Sequence, residues 1–197
     1  MIRKLLSAAF LAAALMSIQT ASAGILTFTA NLTGAAEAPP NASPATGFAT
    51  VVVDDILNTL SLDVTFAGLL GGTTVAHIHC CTAAPNTGVA NVATQTPSFV
   101  GFPAGVTSGS YSETFDLTLA STYRAGFITD SGGTVGGAQD ALLTGLLAGK
   151  AYLNLHSGRF AGGEIRGFLH VPEPQTLSFA ALLLLALPAL RRRRTVA

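Results

Sequence analysis

"NTLSLDVTF", residues Asn58 to Phe66, is the stretch on which the fold turns. Leu60, Leu62, Val64 and Phe66 fall on one side of an extended chain, and Thr59, Ser61, Asp63 and Thr65 on the other. Apolar and polar residues alternating with a period of two describe a strand with one face on a core and one toward water. That is the habit of antiparallel sheets. Upstream, Ile25–Leu32 repeats the pattern with Leu26, Phe28, Ala30 and Leu32 inward. Gly47–Asp54 is a third such run, and Asp54–Asn58 reads as the hairpin loop between it and the opening stretch. Thr74–His79, Tyr111–Leu119, Ala151–His156 and Gly163–His170 bring the set to about seven strands.

The period changes between Ser121 and Lys150. Ser121 is placed to cap a short helix running through Ile128. In Ala138–Ala148, Leu142, Leu143, Leu146 and Leu147 make a helical stripe that Gly149 ends. Thr82–Gly109 has no clear period. It is rich in Pro, Gly, Asn and Thr, with Phe99 and Phe102 as apolar plugs, and a loop of that length is expected to be functional or mobile. The fold class is therefore all-β: an antiparallel Greek-key β-sandwich, immunoglobulin-like in form, with one or two short helical crossovers.

The two ends have a different character. Arg3 and Lys4, the apolar run Leu5–Ile18 and the small residues Ala21-Ser22-Ala23 make 1–23 a signal peptide. At the other end, 172–197 joins Pro172-Glu173-Pro174 to the apolar run Leu177–Leu190 and then to Arg191–Arg194. That run is shorter than the roughly 17–25 residues of an ordinary span and contains Pro188, while four arginines hold its end in the cytoplasm. The reading is an exported domain, 24–171, transiently tethered to the membrane through 177–190. The whole chain is formally neutral, but 24–171 carries four basic side chains against nine acidic ones, a net charge of −5. A small acidic domain without a basic patch argues against a nucleic-acid partner.

Chemistry concentrates in two places. In "AHIHCC", Ala76, Ile78 and Cys80 share one strand face, and His77, His79 and Cys81 the other. The two histidine Cα atoms then lie about 6.5–7 Å apart, near enough to share an ion. Two solvated histidines are the plain alternative. In the later stretch, Tyr152, Asn154 and His156 face one way with Leu153 and Leu155 inside, and Glu164 and Arg166 flank Ile165. If the two strands are neighbours, His77, His79 and His156 with Glu164 nearby form a ligand set for zinc or copper, with Asn154 and Arg166 in support. The alternatives are a Glu164–Arg166 pair, or Arg166 bridging to Asp63, that only fixes sheet register. Cys80 suits a small buried hydrophobe. Cys81 is open to three readings: a soft metal ligand, half of a vicinal disulfide, or an inert thiol. No nucleophile triad, phosphate loop, catalytic carboxylate pair or zinc-protease helix is legible, so no catalytic residue is assigned.

"AHIH" at 76–79 and "YLNLHSGRFAGGEIRGFL" at 152–169 together resemble the CHRD domain, named for chordin. The likeness spans most of 25–170. It departs from the family's pattern at Ala161, where proline is common, and at Cys80-Cys81. The resemblance implies a β-sandwich module of secreted or envelope proteins, mostly without an assigned biochemical activity. The leading reading is a non-enzymatic binding or structural module with an extracellular polysaccharide or protein as partner. The tail resembles the PEP-CTERM sorting signal, with Pro172, Glu173 and Pro174 as its motif. This implies processing by signal peptidase and an exosortase, and a final place in the periplasm, cell envelope or extracellular space. A fainter likeness, to Cu/Zn superoxide dismutase, implies a metal-dependent redox enzyme as the alternative. His77, His79 and His156 match its metal positions, but no residue stands for a bridging histidine, since His170 ends the last strand.

Overall fold

The computed structural model describes residues 24–172. The signal peptide, Glu173, Pro174 and the 177–190 run lie outside the described residues, and Pro172 is exposed at their end. Among the described residues no helix is long and apolar enough to cross a membrane.

Seven strands form where alternation places them: β1 (Ile25–Thr33), β2 (Thr46–Asp54), β3 (Thr59–Ala67), β4 (Thr73–His79), β5 (Gly109–Asp116), β6 (Tyr152–Ser157) and β7 (Ile165–Phe168). The β2–β3 hairpin is fixed by its own loop. Asp54 Oδ1 accepts from the amides of Ile56 and Leu57, and Asn58 takes the left-handed conformation that Asn tolerates, with φ of 54°. Two helices follow β5: α1 (Ala125–Asp130) and α2 (Val135–Leu147).

Both helices start differently from expectation. Ser121 caps nothing: a short 3₁₀ turn occupies Ala120–Thr122, and α1 begins after Arg124. Helix α2 begins earlier than its leucine stripe because Thr134 Oγ1 accepts from the Gly137 amide. Its buried side is Ala138, Leu142, Gly145 and Leu146, while Leu147 is exposed. Spacing of i, i+4, i+7 and i+8 puts Leu146, and not Leu147, over the core.

The strands make one curled antiparallel sheet in the order β4-β6-β7-β1-β2-β3-β5. The β1–β7 ladder is narrow, with Thr33 opposite Arg166 and a bridge from Thr29 to His170, and it divides the sheet into two halves. One apolar cluster joins the halves, from Ile78, Leu153 and Leu155 to Leu60, Leu62 and Val64. Each such side chain withdrawn from water contributes about 1.5–3 kcal/mol.

The long aperiodic stretch has a structural task. Residues 91–107 run along the open edge of β4. The Cys80 amide donates to the Asn91 carbonyl, Ala93 to Ile78, Phe99 to Ala76, and Thr73 to Val106. Phe99 and Phe102 then pack on β5 and β3, with Phe99–Phe115 centroids 5.3 Å apart and Phe66–Phe102 5.8 Å. The segment thereby covers an edge strand whose free amides and carbonyls would otherwise invite pairing with another chain. It has no period because its hydrogen bonds go mostly to one neighbour through irregular backbone.

Candidate functional site

Register decides which polar residues meet. Across β4, β6 and β7, His77 pairs with Asn154 and Asn154 with Arg166; in the next row His79 pairs with Tyr152 and Tyr152 with Phe168. Residues paired in register share a sheet face, and His156 joins them two positions beyond Asn154. This outer face is not open to water. His77, His79, Tyr152, Asn154 and Arg166 are all buried, and His156 is half-buried.

Two pieces of irregular chain roof it over, and Arg166 clasps both. Its Nε donates to the carbonyl of Ala36, at the end of the 3₁₀ turn Gly34–Ala36, and its Nη1 donates to the carbonyl of Gly88 at 3.1 Å. The guanidinium lies 4.7 Å from the Tyr152 ring centroid. The Tyr152 ring stacks on His79 at 4.8 Å with planes 8° apart.

The three imidazoles gather under this roof. Ring centroids are 5.7 Å apart for His77 and His79, 5.5 Å for His77 and His156, and 6.1 Å for His79 and His156. Each ring has one nitrogen on a backbone carbonyl: His77 Nε2 on Pro97 at 2.5 Å, His79 Nδ1 on Ala90 at 2.9 Å, and His156 Nδ1 on Ala161 at 2.8 Å. A carbonyl oxygen only accepts, so each of these nitrogens carries the hydrogen, and in a neutral ring the other holds a lone pair. Those others, His77 Nδ1, His79 Nε2 and His156 Nε2, are buried without a hydrogen-bond partner. One ligand nitrogen from each residue lies within 4.8 Å of the others.

Electrostatics hold two of the rings neutral. Burial pushes the His79 pKa down to about 4; the Ala90 carbonyl works against it, and His77, His156 and Arg166 add to the fall. Burial also lowers His77, opposed by its bond to Pro97 and aided by His156. Neutral imidazoles with the hydrogen tied to a carbonyl are what metal-ligating histidines present.

The supporting residues fall differently from their sequence reading. Arg166 pairs with neither Glu164 nor Asp63. Its acidic neighbour is Glu37, with Nε to Oε2 at 3.8 Å. Burial pushes Glu37 up to about 7, against the opposing pull of Arg166 and the Ala38 amide. Glu164 does not join the histidines. It precedes β7, is fully buried, and accepts from the Leu70 amide at 2.6 Å and from the hydroxyls of Ser43 and Ser157. Burial alone would raise its pKa, but these hydrogen bonds outweigh it and hold the carboxyl below the usual range. Glu164 thus ties the β3–β4 turn and the β1–β2 connection to β7. Asn154 does stay beside the cluster, nine-tenths buried and more, with Oδ1 unpartnered. A side chain at Gly163, whose φ is +125°, would collide with the Asn154 amide and Glu37 Oε1.

Cys81 is also elsewhere. Its sulfur is bonded to Cys80 and faces the Ala141 carbonyl of α2, so no free thiol reaches the imidazoles. Of the readings left open, the vicinal disulfide is the one the structure contains.

Sequence reasoning missed Glu37 and the three carbonyls of Ala90, Pro97 and Ala161. Glu37 sits in an aperiodic connection and carries no pattern. Backbone carbonyls carry no residue signature at all.

The CHRD domain model matches residues 28–169. No curated protein and no solved structure matches the chain.

Proposed function

The chain belongs to the CHRD domain family, and from that premise we propose that it is an exported, non-enzymatic binding or structural module that holds one zinc or copper ion through His77, His79 and His156. The observation that carries the reading is the trio of unpartnered ring nitrogens, each opposite a nitrogen fixed by a carbonyl. A buried acceptor without a donor is destabilising by roughly 1–3 kcal/mol, and three together ask for an occupant. Zinc bonds to nitrogen at about 2.0–2.1 Å, which needs nitrogens roughly 3.3–3.6 Å apart, so separations of up to 4.8 Å shorten by about 1.5 Å at most. Three histidines leave a fourth position for water or a partner's side chain.

The rest of the reading concerns location. Signal peptidase removes 1–23, the 177–190 run tethers the domain transiently, and an exosortase acts at Pro172-Glu173-Pro174. The product resides in the periplasm, envelope or extracellular space, beside an extracellular polysaccharide or protein partner. The net charge of −5 over 24–171 supports a partner other than nucleic acid. The strand order, with β4 crossing to the far edge from β3 and β5 returning beside it, fits a Greek-key sandwich whose two layers stay joined along β1 and β7.

Elemental analysis of the full chain after exposure to zinc or copper and desalting tests the metal. The expected result is one ion per chain, and for His77→Ala or His156→Ala an affinity weaker by more than about 100-fold. A wild-type chain without stoichiometric metal overturns the reading. Superoxide or oxidase turnover by the loaded chain would replace the binding module with the redox enzyme.

A further inference from the structure

The disulfide lies one residue from the histidine cluster and shares its roof. Cys80 follows His79 directly, and its amide donates to the carbonyl of Asn91. The preceding carbonyl, Ala90, accepts from His79 Nδ1 and from the Tyr152 hydroxyl at 3.3 Å. Ala90 and Asn91 therefore form one short bridge between the disulfide and the imidazole of His79. On its other side the disulfide packs on α2 at Gly145, where an added Cβ would overlap both sulfurs. That side has no spare room.

The disulfide is also reachable. Cys81 is exposed while Cys80 is buried, and both line an open cleft of about 560 Å³ with Arg124 and Phe127 on its walls. Arg124 and Asp130, paired at 3.6 Å, both line the cleft, so access to the disulfide rests on the exposure of Cys81.

We propose that Cys80–Cys81 is a thiol-exchange site whose redox state sets the metal affinity of the histidine cluster, tight when bonded and weak when reduced. The inference rests on the metal reading above. The co-reactant is a dithiol. Its first thiolate attacks Cys81 Sγ, the S–S bond breaks and Cys80 leaves as thiolate. The second thiol of the reagent, as thiolate, then attacks the mixed disulfide and expels the Cys81 thiolate. Two electrons pass to the protein, both cysteines take up a proton, and the reagent leaves as its own disulfide. Two unbonded sulfurs need more room than two bonded ones. With Gly145 closing one side, the exposed Cys81 swings toward the cleft, and the turn it makes with Cys80 carries the Cys80 amide and the 90–91 bridge with it. The carbonyl that orients His79 moves with it, so a site held ready in the oxidised chain becomes one that must be ordered on binding.

The test titrates the full chain with Co²⁺, whose absorption distinguishes imidazole from thiolate ligands. The chain is compared oxidised, reduced by a dithiol and desalted without air, and as Cys80→Ala/Cys81→Ala. The expected result is two titratable thiols after reduction and an affinity weaker by about 5- to 150-fold in the reduced chain, a coupling of ordinary size, while the double variant, which has no sulfurs to accommodate, binds as the oxidised chain does. Equal affinity in oxidised and reduced chains overturns the inference, as do thiols that never appear or tighter binding with thiolate bands. Absence of Co²⁺ binding by the oxidised chain overturns the metal reading itself, and the coupling with it. Circular dichroism of the double variant separates loss of fold from loss of affinity.

Discussion

The outer face of the sheet is two surfaces. Over β4, β6 and β7 it carries His77, His79, Tyr152, Asn154 and Arg166, all buried beneath irregular chain. Over β2, β3 and β5 the same alternation presents Thr50, Asp63 and Ser112 in one row and Phe48, Thr65 and Ser110 in the next, with Phe48, Asp63 and Thr65 exposed. The inner faces of the two halves are alike, with Leu153 and Leu155 matching Leu60 and Leu62. Alternation therefore fixes which side of the sheet a residue takes and says nothing of whether that side is wet. The cover makes the difference. It strips water from one nitrogen of each of three imidazoles and leaves those lone pairs facing one another, where a bare face would leave them solvated.

The largest expected effect comes from removing the clasp. Arg166→Ala unties both covering segments and leaves Glu37 buried without its counter-ion. Urea unfolding at pH 8 should show a loss of about 3–5 kcal/mol, and a loss below about 1 would break the contrast between covered and bare halves. Leu155→Ala and Leu62→Ala, one from each half, should each cost about 2–5 kcal/mol in the same assay, because both leave cavities in one shared core. A large disparity between them would mean that the halves do not share it.

A third test uses pH, with the metal-free chain. Glu37 has its pKa raised from 4.5 to about 7, so its contribution to stability is full below the lower value and is lost as pH rises through the higher. His79 is lowered from 6.5 to about 4, so its contribution is full above the higher value and is lost as pH falls through the lower. Between about 4.5 and 6.5 the two slopes oppose each other. Glu37→Gln removes one of them, and the variant's unfolding midpoint should rise with pH across that window more steeply than that of the parent chain. A variant whose slope matches the parent's would show that Glu37 does not titrate as its burial implies.

The smallest effect is the sharpest comparison. Asp63→His places an imidazole at an exposed position of the bare half. Its stability should change by less than about 0.5 kcal/mol, and NMR titration should find the new ring near 6.5, as for a solvated histidine. His79 in the same sample should titrate near 4. Coincident titrations would show that the cover does not desolvate its imidazoles.

Much of this was legible in the residues. Alternation located all seven strands within a few positions, and it put His77, His79 and His156 on outward faces and Ile78, Leu153 and Leu155 inward. Residues such as Asp54 and Asn58 announced their turn because its chemistry is local. Glu164 misled. It precedes β7, where strict alternation no longer holds, and its carboxylate turns to Ser157, Ser43 and the Leu70 amide. The capping of α1 misled for a related reason, since a 3₁₀ turn absorbed Ser121.

By itself, then, the sequence determined the strands, their inward faces and the identity of the three histidines, because side-chain direction in an extended chain repeats every two residues and depends on nothing distant. Only the tertiary structure decided that β4 lies beside β6, that residues 86–97 and the turn at 34–36 cover the outer face, that Glu37 answers Arg166, and that Cys81 bonds to Cys80 while the imidazoles stand free. Those outcomes depend on contacts between residues far apart in the chain and on backbone carbonyls that no residue name encodes. They are also what turns three outward histidines into a buried cluster with its lone pairs converging.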